Sequence, residues 1–342
     1  MELLKELVGA FGMPGWEGEV RDVIRRELEG CADTISVDKM GNIIAVKNPD
    51  AEGEALTLTT HMDETGLMVK SIDADGFIRF ASWDVDKKTM AAKRVLVGEK
   101  KIPGVIGSKP VHSLNPEEKA KIPAHTTMFI DIGAKSKEEA LALTCVGEYI
   151  GYDVEFSSFG DGWVTGRCLD ARVGCAAIIE ALKSPECPAD RKITAVFTSQ
   201  KNVGSRGAST AANQVRSDIL ISVDGYTADY FGKKAGVPAA GSGPAVLVKD
   251  RTTLYPRSAA DSMISCAKTN NLPCSLLYST EDKGDSGSLQ RAFGGAVTIG
   301  VVVPVVNART PAAVMKKSDY ENTVLLLRKY ISELSEKNRG RT

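Results

Sequence analysis

Ala55-Leu56-Thr57-Leu58-Thr59-Thr60-His61-Met62-Asp63-Glu64 is the stretch that decides the fold. Residues 55–60 alternate apolar and hydroxyl-bearing side chains, the two-residue period of a half-buried strand. That strand delivers His61 to its carboxyl end, with Asp63 and Glu64 close behind. Ligand sites of open α/β sheets gather at such strand ends.

The chain reads differently on the two sides of this strand. Before it, residues 3–11 and 20–28 carry apolar side chains at helical spacing, the second with Val20, Val23, Ile24 and Leu28 and with Gly30 as its cap. Residues 34–37 and 42–46 read as strands around the turn Asp38-Lys39-Met40-Gly41. After it, from about residue 66 to about residue 155, short strands are broken by turns such as Asp73-Ala74-Asp75-Gly76. Helix and strand alternate again beyond Gly162, with a helix at 173–182 and strands at 193–197, 218–223 and 296–303. A final helix opens on the capping box Ser318-Asp319-Tyr320-Glu321 and presents Val324, Leu327, Ile331 and Leu334 on one face. The expected architecture is therefore α/β: a mixed sheet covered by helices on both faces, from residues 1–65 and 160–342. A small β-rich domain, residues 66–159, is inserted into it.

Composition excludes several classes of function. The 43 basic and 44 acidic residues nearly cancel, which gives no footing for a nucleic-acid or membrane-surface partner. No apolar run approaches the ~20 residues of a membrane span, and Met1-Glu2-Leu3-Leu4-Lys5-Glu6-Leu7 is acidic and amphipathic, unlike a signal segment. The seven cysteines form no Cys-x-x-Cys pair and read as reduced, mostly buried thiols of a cytoplasmic protein.

Four further segments carry chemistry: Gly166-Arg167-Cys168-Leu169-Asp170, Gln200-Lys201-Asn202-Val203-Gly204, Val223-Asp224 and Asn307-Ala308-Arg309-Thr310-Pro311. Taken singly each has a plain structural reading. Asp170 would cap a helix starting near Ala171, Asp224 would form a turn, and His61 would be a hydrogen-bonded strand-end residue. Taken in order, they resemble the tetrahedral, deblocking and glutamyl aminopeptidase family of two-metal exopeptidases. The resemblance extends into residues 102–107 and 129–134. It implies that His61 and Asp224 hold a first metal, that Asp170 bridges two metals, and that Asp63 orients His61.

The same resemblance exposes three departures. In the family the third segment reads Gln-Glu-Glu-Val-Gly, and a histidine precedes the closing Thr-Pro or Ser-Pro. Here Lys201 stands at the general-base position, and Asn202 and Arg309 stand at the second metal's ligand positions. Asn202 is a neutral oxygen donor, and the Arg309 guanidinium cannot ligate because it stays protonated. Lys201 would need to fall by roughly 3 pKa units, or ~4–5 kcal/mol, to act as a base. Its ammonium ~4 Å from a divalent cation would meet ~8 kcal/mol of repulsion at an effective dielectric of ~20.

The expectation is a catalytically silent aminopeptidase homologue that binds a peptide-like ligand or assembles. Its cofactor content is none, or at most one divalent metal (zinc, cobalt or manganese), without a dinuclear centre. The resemblance implies a homo-oligomer, a dimer or a dodecamer, with association with an active relative as a further partner. The alternatives are an active mononuclear-metal aminopeptidase with an altered base and a glycoside hydrolase-like activity. Lys201 or Arg309 is expected to pair with Asp170, Asp224, Glu64 or Asp285. Phe77, Phe80 and Trp83 are either an assembly surface or the small domain's own core. Gly284-Asp285-Ser286-Gly287-Ser288 reads as a glycine-rich turn, not a serine-hydrolase elbow, and His112 and His125 as structural residues.

Overall fold

The computed structural model describes residues 1–120, 122–234, 236–280 and 284–339. The strand Gly53–His61 lies inside an eight-stranded sheet, hydrogen-bonded in parallel to Arg191–Thr198 on one side and Ile219–Thr227 on the other. The sheet order is Thr34–Val37, Ile43–Lys47, Arg191–Thr198, Gly53–His61, Ile219–Thr227, Val297–Val305, Ala245–Lys249 and Ser275–Tyr278. Three adjacent parallel pairs sit at its centre, which explains why the last six residues of Gly53–His61 are all buried: parallel strands need cover on both faces.

One face carries the long helices. Leu169–Leu182 buries twelve of its residues against the sheet and against the helices Glu2–Gly9 and Lys317–Arg339. Val324, Leu327 and Ile331 of the final helix join that core and Leu334 packs at its edge. On the other face Leu220 and Val196 meet Ala211 and Leu289, from the short helices Arg206–Ala211 and Ser286–Leu289. The final helix begins at Lys317, one residue ahead of the expected Ser318 cap, and Glu321 pairs with the Lys317 ammonium at 3.4 Å. The Asp38 turn forms as expected: its carboxylate accepts the Met40 and Asn42 backbone N–H groups at 2.9 and 3.0 Å.

Beyond His61 the chain enters a closed six-stranded barrel, with strands Gly66–Ile72, Ile78–Trp83, Phe129–Asp131, Ile102–Gly107, Arg94–Val97 and Tyr149–Tyr152 in that order around it. Its interior is apolar, with Leu67, Ile78, Val97, Ile130 and Ile150 fully buried. Phe80 belongs to this interior and Phe77 packs on Phe129 at a ring separation of 4.6 Å, so these two aromatics serve the barrel's own packing. A three-stranded sheet of Ser157–Phe159, Trp163–Gly166 and Ala313–Lys316 follows. The thiols are less buried than expected: Cys168, Cys175 and Cys266 are buried, Cys145 is exposed, the other three lie between, and none of the seven forms a disulfide. No helix among the described residues is long and apolar enough to cross a membrane.

Candidate active site

His61, Asp170, Lys201, Asn202, Asp224 and Arg309 line one pocket at the carboxyl ends of the central strands. The fold brings them there for identifiable reasons. His61 and Thr198 are register partners on neighbouring parallel strands, so Lys201 follows His61's neighbour by three residues. Asp170 is close because Gly225 lacks a side chain: a Cβ there would lie 2.5 Å from Asp170 Cα. Asp170 sits in the first turn of Leu169–Leu182, one residue past the helix start; the residue before the helix is Cys168, which makes no capping side-chain bond. Its Oδ2 instead accepts the Arg309 backbone N–H at 3.2 Å.

Asp63 ties two of these segments together. Its backbone carbonyl receives His61 Nδ1 at 2.8 Å, while its carboxylate accepts the backbone N–H of Lys201 at 2.7 Å and of Asn202 at 2.8 Å. The Asn202 side-chain amide donates to the same carboxylate at 2.8 Å. The imidazole is therefore turned mainly by a carbonyl, and its Nδ1 stands 3.7 Å from the Asp63 carboxylate.

The centre of the pocket is a charge cluster. His61 Nε2 lies 3.1 Å from Asp224 Oδ1, and the Lys201 ammonium lies 3.5 Å from both His61 Nε2 and Asp224 Oδ2. Burial and the Lys201 charge pull the imidazole down, but Asp224 and Asp63 outweigh them and hold it up at about 10. Both ring nitrogens face oxygen acceptors, which suits an imidazolium. Burial alone would lower Lys201 as well; Asp224 and Asp285 reverse that and keep the ammonium above its ordinary value. Asp224, pushed up by burial, is drawn down to about 2 by Lys201 and His61. Burial holds the Asp285 carboxyl above its usual range despite those same two cations.

Arg309 meets a carboxylate at the pocket's edge. Its Nε stands 3.5 Å from Asp84 Oδ2, at the end of the barrel strand Ile78–Trp83, in a half-exposed pair. The expectation that Lys201 or Arg309 would pair with a nearby carboxylate is met by Lys201 at Asp224, whereas Asp84, the Arg309 partner, carried no sequence signal. Glu64 is also committed elsewhere: Oε1 accepts from Gly12 N at 2.9 Å, Arg172 Nη2 at 3.0 Å and Arg167 Nη1 at 3.4 Å. Arg172 is fully buried on a helix whose other buried residues are apolar, a pattern that itself signals a buried partner. Ser286 Oγ bonds Tyr255 and Thr253 hydroxyls at 2.9 and 3.2 Å, the arrangement of a structural turn and not of an activated nucleophile. His112 and His125 lie in short helical turns outside the pocket.

Residues around the pocket also carry backbone strain. Cys168, Gln200, Asn307 and Arg309 adopt φ of 49°, 55°, 54° and 62°. Left-handed non-glycine residues of this kind cluster at functional sites. The ordered segments, the strand-end rim and this strain all meet in one place, and residues 41–326 match the model of the M42 glutamyl aminopeptidases. The chain belongs to that family. An aminopeptidase-type relative from Acetivibrio thermocellus is 36% identical over 328 residues, 95% of this chain and 96% of that one. The TET aminopeptidase from the marine sediment archaeon Thaumarchaeota archaeon SCGC AB-539-E09 superposes with a TM-score of 0.93 at 29% identity, over 98% of this chain and 99% of that one. The Pyrococcus horikoshii TET1 peptidase, which can assemble into a tetrahedron or a large octahedral shell, superposes with a TM-score of 0.85 at 29% identity, over 96% and 98%.

The side chains present do not suit the dinuclear metal centre that M42 membership implies. A zinc ion needs His and carboxylate donors at about 2.0–2.2 Å around one point. Here Lys201 Nζ stands beside both His61 Nε2 and Asp224, and no described group of three or more His, Cys, Asp or Glu residues is arranged to hold a metal. Asn202 turns its amide to Asp63, and Arg309 faces Asp84.

The buried Glu64 knot beneath this rim is testable. Glu64→Ala leaves Arg167 and Arg172, both nearly or fully buried, without their carboxylate. Loss of one partner from such a pair costs about 3–5 kcal/mol. Urea denaturation should show a loss of that size, and a change below about 1 kcal/mol would contradict the assignment.

Proposed function

We propose that this chain is a catalytically silent M42 aminopeptidase homologue that keeps the pocket for a peptide-like ligand and the capacity to assemble. The observation that carries the reading is the Lys201 ammonium at 3.5 Å from both His61 Nε2 and Asp224 Oδ2. In the two-metal chemistry of such enzymes a carboxylate at this point takes a proton from an activated water. A lysine held charged by Asp224 and Asp285 cannot accept one. The same argument weighs against a mononuclear enzyme that uses Lys201 as its base. A glycosidase-like role would need two free carboxyl groups flanking a bond; Asp224 is engaged by His61 and Lys201.

His61, Asp170 and Asp224 are, in this reading, the remnant of the metal-binding set, with Lys201 in place of the base. Asn202 and Arg309 replace two ligands of the second ion. One divalent ion is the most this site takes. Residues 1–65 and 160–342 form the exopeptidase-like domain and residues 66–159 the assembly domain. Assembly is supported by the P. horikoshii relative's shells, not by Phe77 or Phe80, which are engaged within the barrel.

The purified protein should release no amino acid from unblocked amino-acid amides or short peptides above background with added zinc, cobalt or manganese. Turnover of about 1 per second or more would defeat the reading. Lys201→Glu, Asn202→Glu and Arg309→His together should restore metal binding more readily than activity, because ligation needs donors at a distance whereas turnover also needs a fitted substrate. Sedimentation at micromolar concentration should show a homo-oligomer, and a strict 36.5 kDa monomer would contradict the assembly role.

A further inference from the structure

We propose that Asp285 receives a primary ammonium group of the ligand, so that the pocket separates free amines from neutral molecules of the same shape. The proposal rests on the reading above only in taking this pocket as the ligand site. Asp285 is 5% exposed and lines the pocket with Lys201 and Asp224. Its Oδ2 accepts the Thr198 hydroxyl. Its Oδ1 is buried and has no hydrogen-bond partner among the described residues.

A buried carboxylate oxygen without a donor costs free energy comparable to a lost hydrogen bond, and more when the group is charged. Ionised, it can only accept, so whatever completes it must donate. A second oxygen on the same wall is in the same condition: Thr59 Oγ1 is buried and unpartnered among the described residues. Thr59 stands two residues before His61 and opposite Ser222, which stands two residues before Asp224, so it shares their face of the sheet one step deeper. Lys201 leaves Oδ1 unmet, since its ammonium turns to Asp224 and His61. An ammonium has three donors and a charge that offsets burial of the carboxylate, which a water molecule lacks. Burial holds Asp285 above the usual carboxylate range, and a cation against Oδ1 draws it back toward the ionised form.

Two sources carry this chemistry, the first residue of a peptide and a lysine side chain. Isothermal titration in EDTA with L-leucinamide, Nα-acetyl-L-lysinamide and Nα-acetyl-L-leucinamide separates them. At least one of the two amines should bind about tenfold tighter than the neutral amide, the effect expected of a charged hydrogen bond. Asp285→Asn should abolish that preference while the melting temperature holds. Equal affinity for all three, a preference that survives Asp285→Asn, or no binding at millimolar concentration overturns the proposal. Should Asp285→Asn not fold, the wild type crystallised with the preferred amine decides. Its nitrogen within hydrogen-bond distance of Oδ1 supports the proposal, and a nitrogen elsewhere in the pocket overturns it. Metal-dependent turnover would sink the silent reading yet leave the comparison in EDTA able to judge Asp285. Binding of peptides without an amine preference would do the reverse.

Discussion

The Asp63 carboxylate is the constraint on which the site depends. It is fully buried and holds the backbone N–H groups of Lys201 and Asn202, while its own carbonyl holds His61. One residue thus fixes the distance between the end of one central strand and the loop after its neighbour. The nearby His61 charge and the two backbone donors keep Asp63 ionised against its burial. Whatever side chain stands at position 201 is delivered to the same place. In this chain the delivered group is an ammonium, and the pocket is organised around it.

That delivery explains how the fold tolerates a changed chemistry. The parallel pairing, the helix Leu169–Leu182 and the close contact of Gly225 with Asp170 involve none of the three departing side chains. Replacing a base and two metal ligands by Lys201, Asn202 and Arg309 leaves both introduced cations partnered: Lys201 faces Asp224 beside the His61 imidazolium, and Arg309 faces Asp84. Buried cations with partners are stable; the same cations beside a divalent ion are not.

Much of this was legible in the chain. The period-two pattern of residues 55–60 marks a strand, which the structure buries on both faces from Leu56 onward, and the helical spacing of Val324, Leu327 and Ile331 marks a face that the structure buries. The convergence of His61, Asp170, Lys201, Asn202, Asp224 and Arg309 followed from ordered segments at strand ends. What was not legible depended on long-range geometry. Asp84 meets Arg309 across 225 positions because the barrel returns beside the sheet, and no local pattern encodes that. Glu64 looked available to the pocket because its two arginine partners, Arg167 and Arg172, lie more than a hundred residues away. Phe80 and Phe77 could not be assigned to core or surface until the strands closed into a barrel.

The most direct test of the account is the anomalous density of zinc in crystals soaked with the metal. The account predicts no pair of metal peaks at the His61, Asp170 and Asp224 rim, with Lys201 Nζ still between His61 and Asp224. Two peaks about 3.5 Å apart bridged by Asp170, with Lys201 displaced, would contradict it.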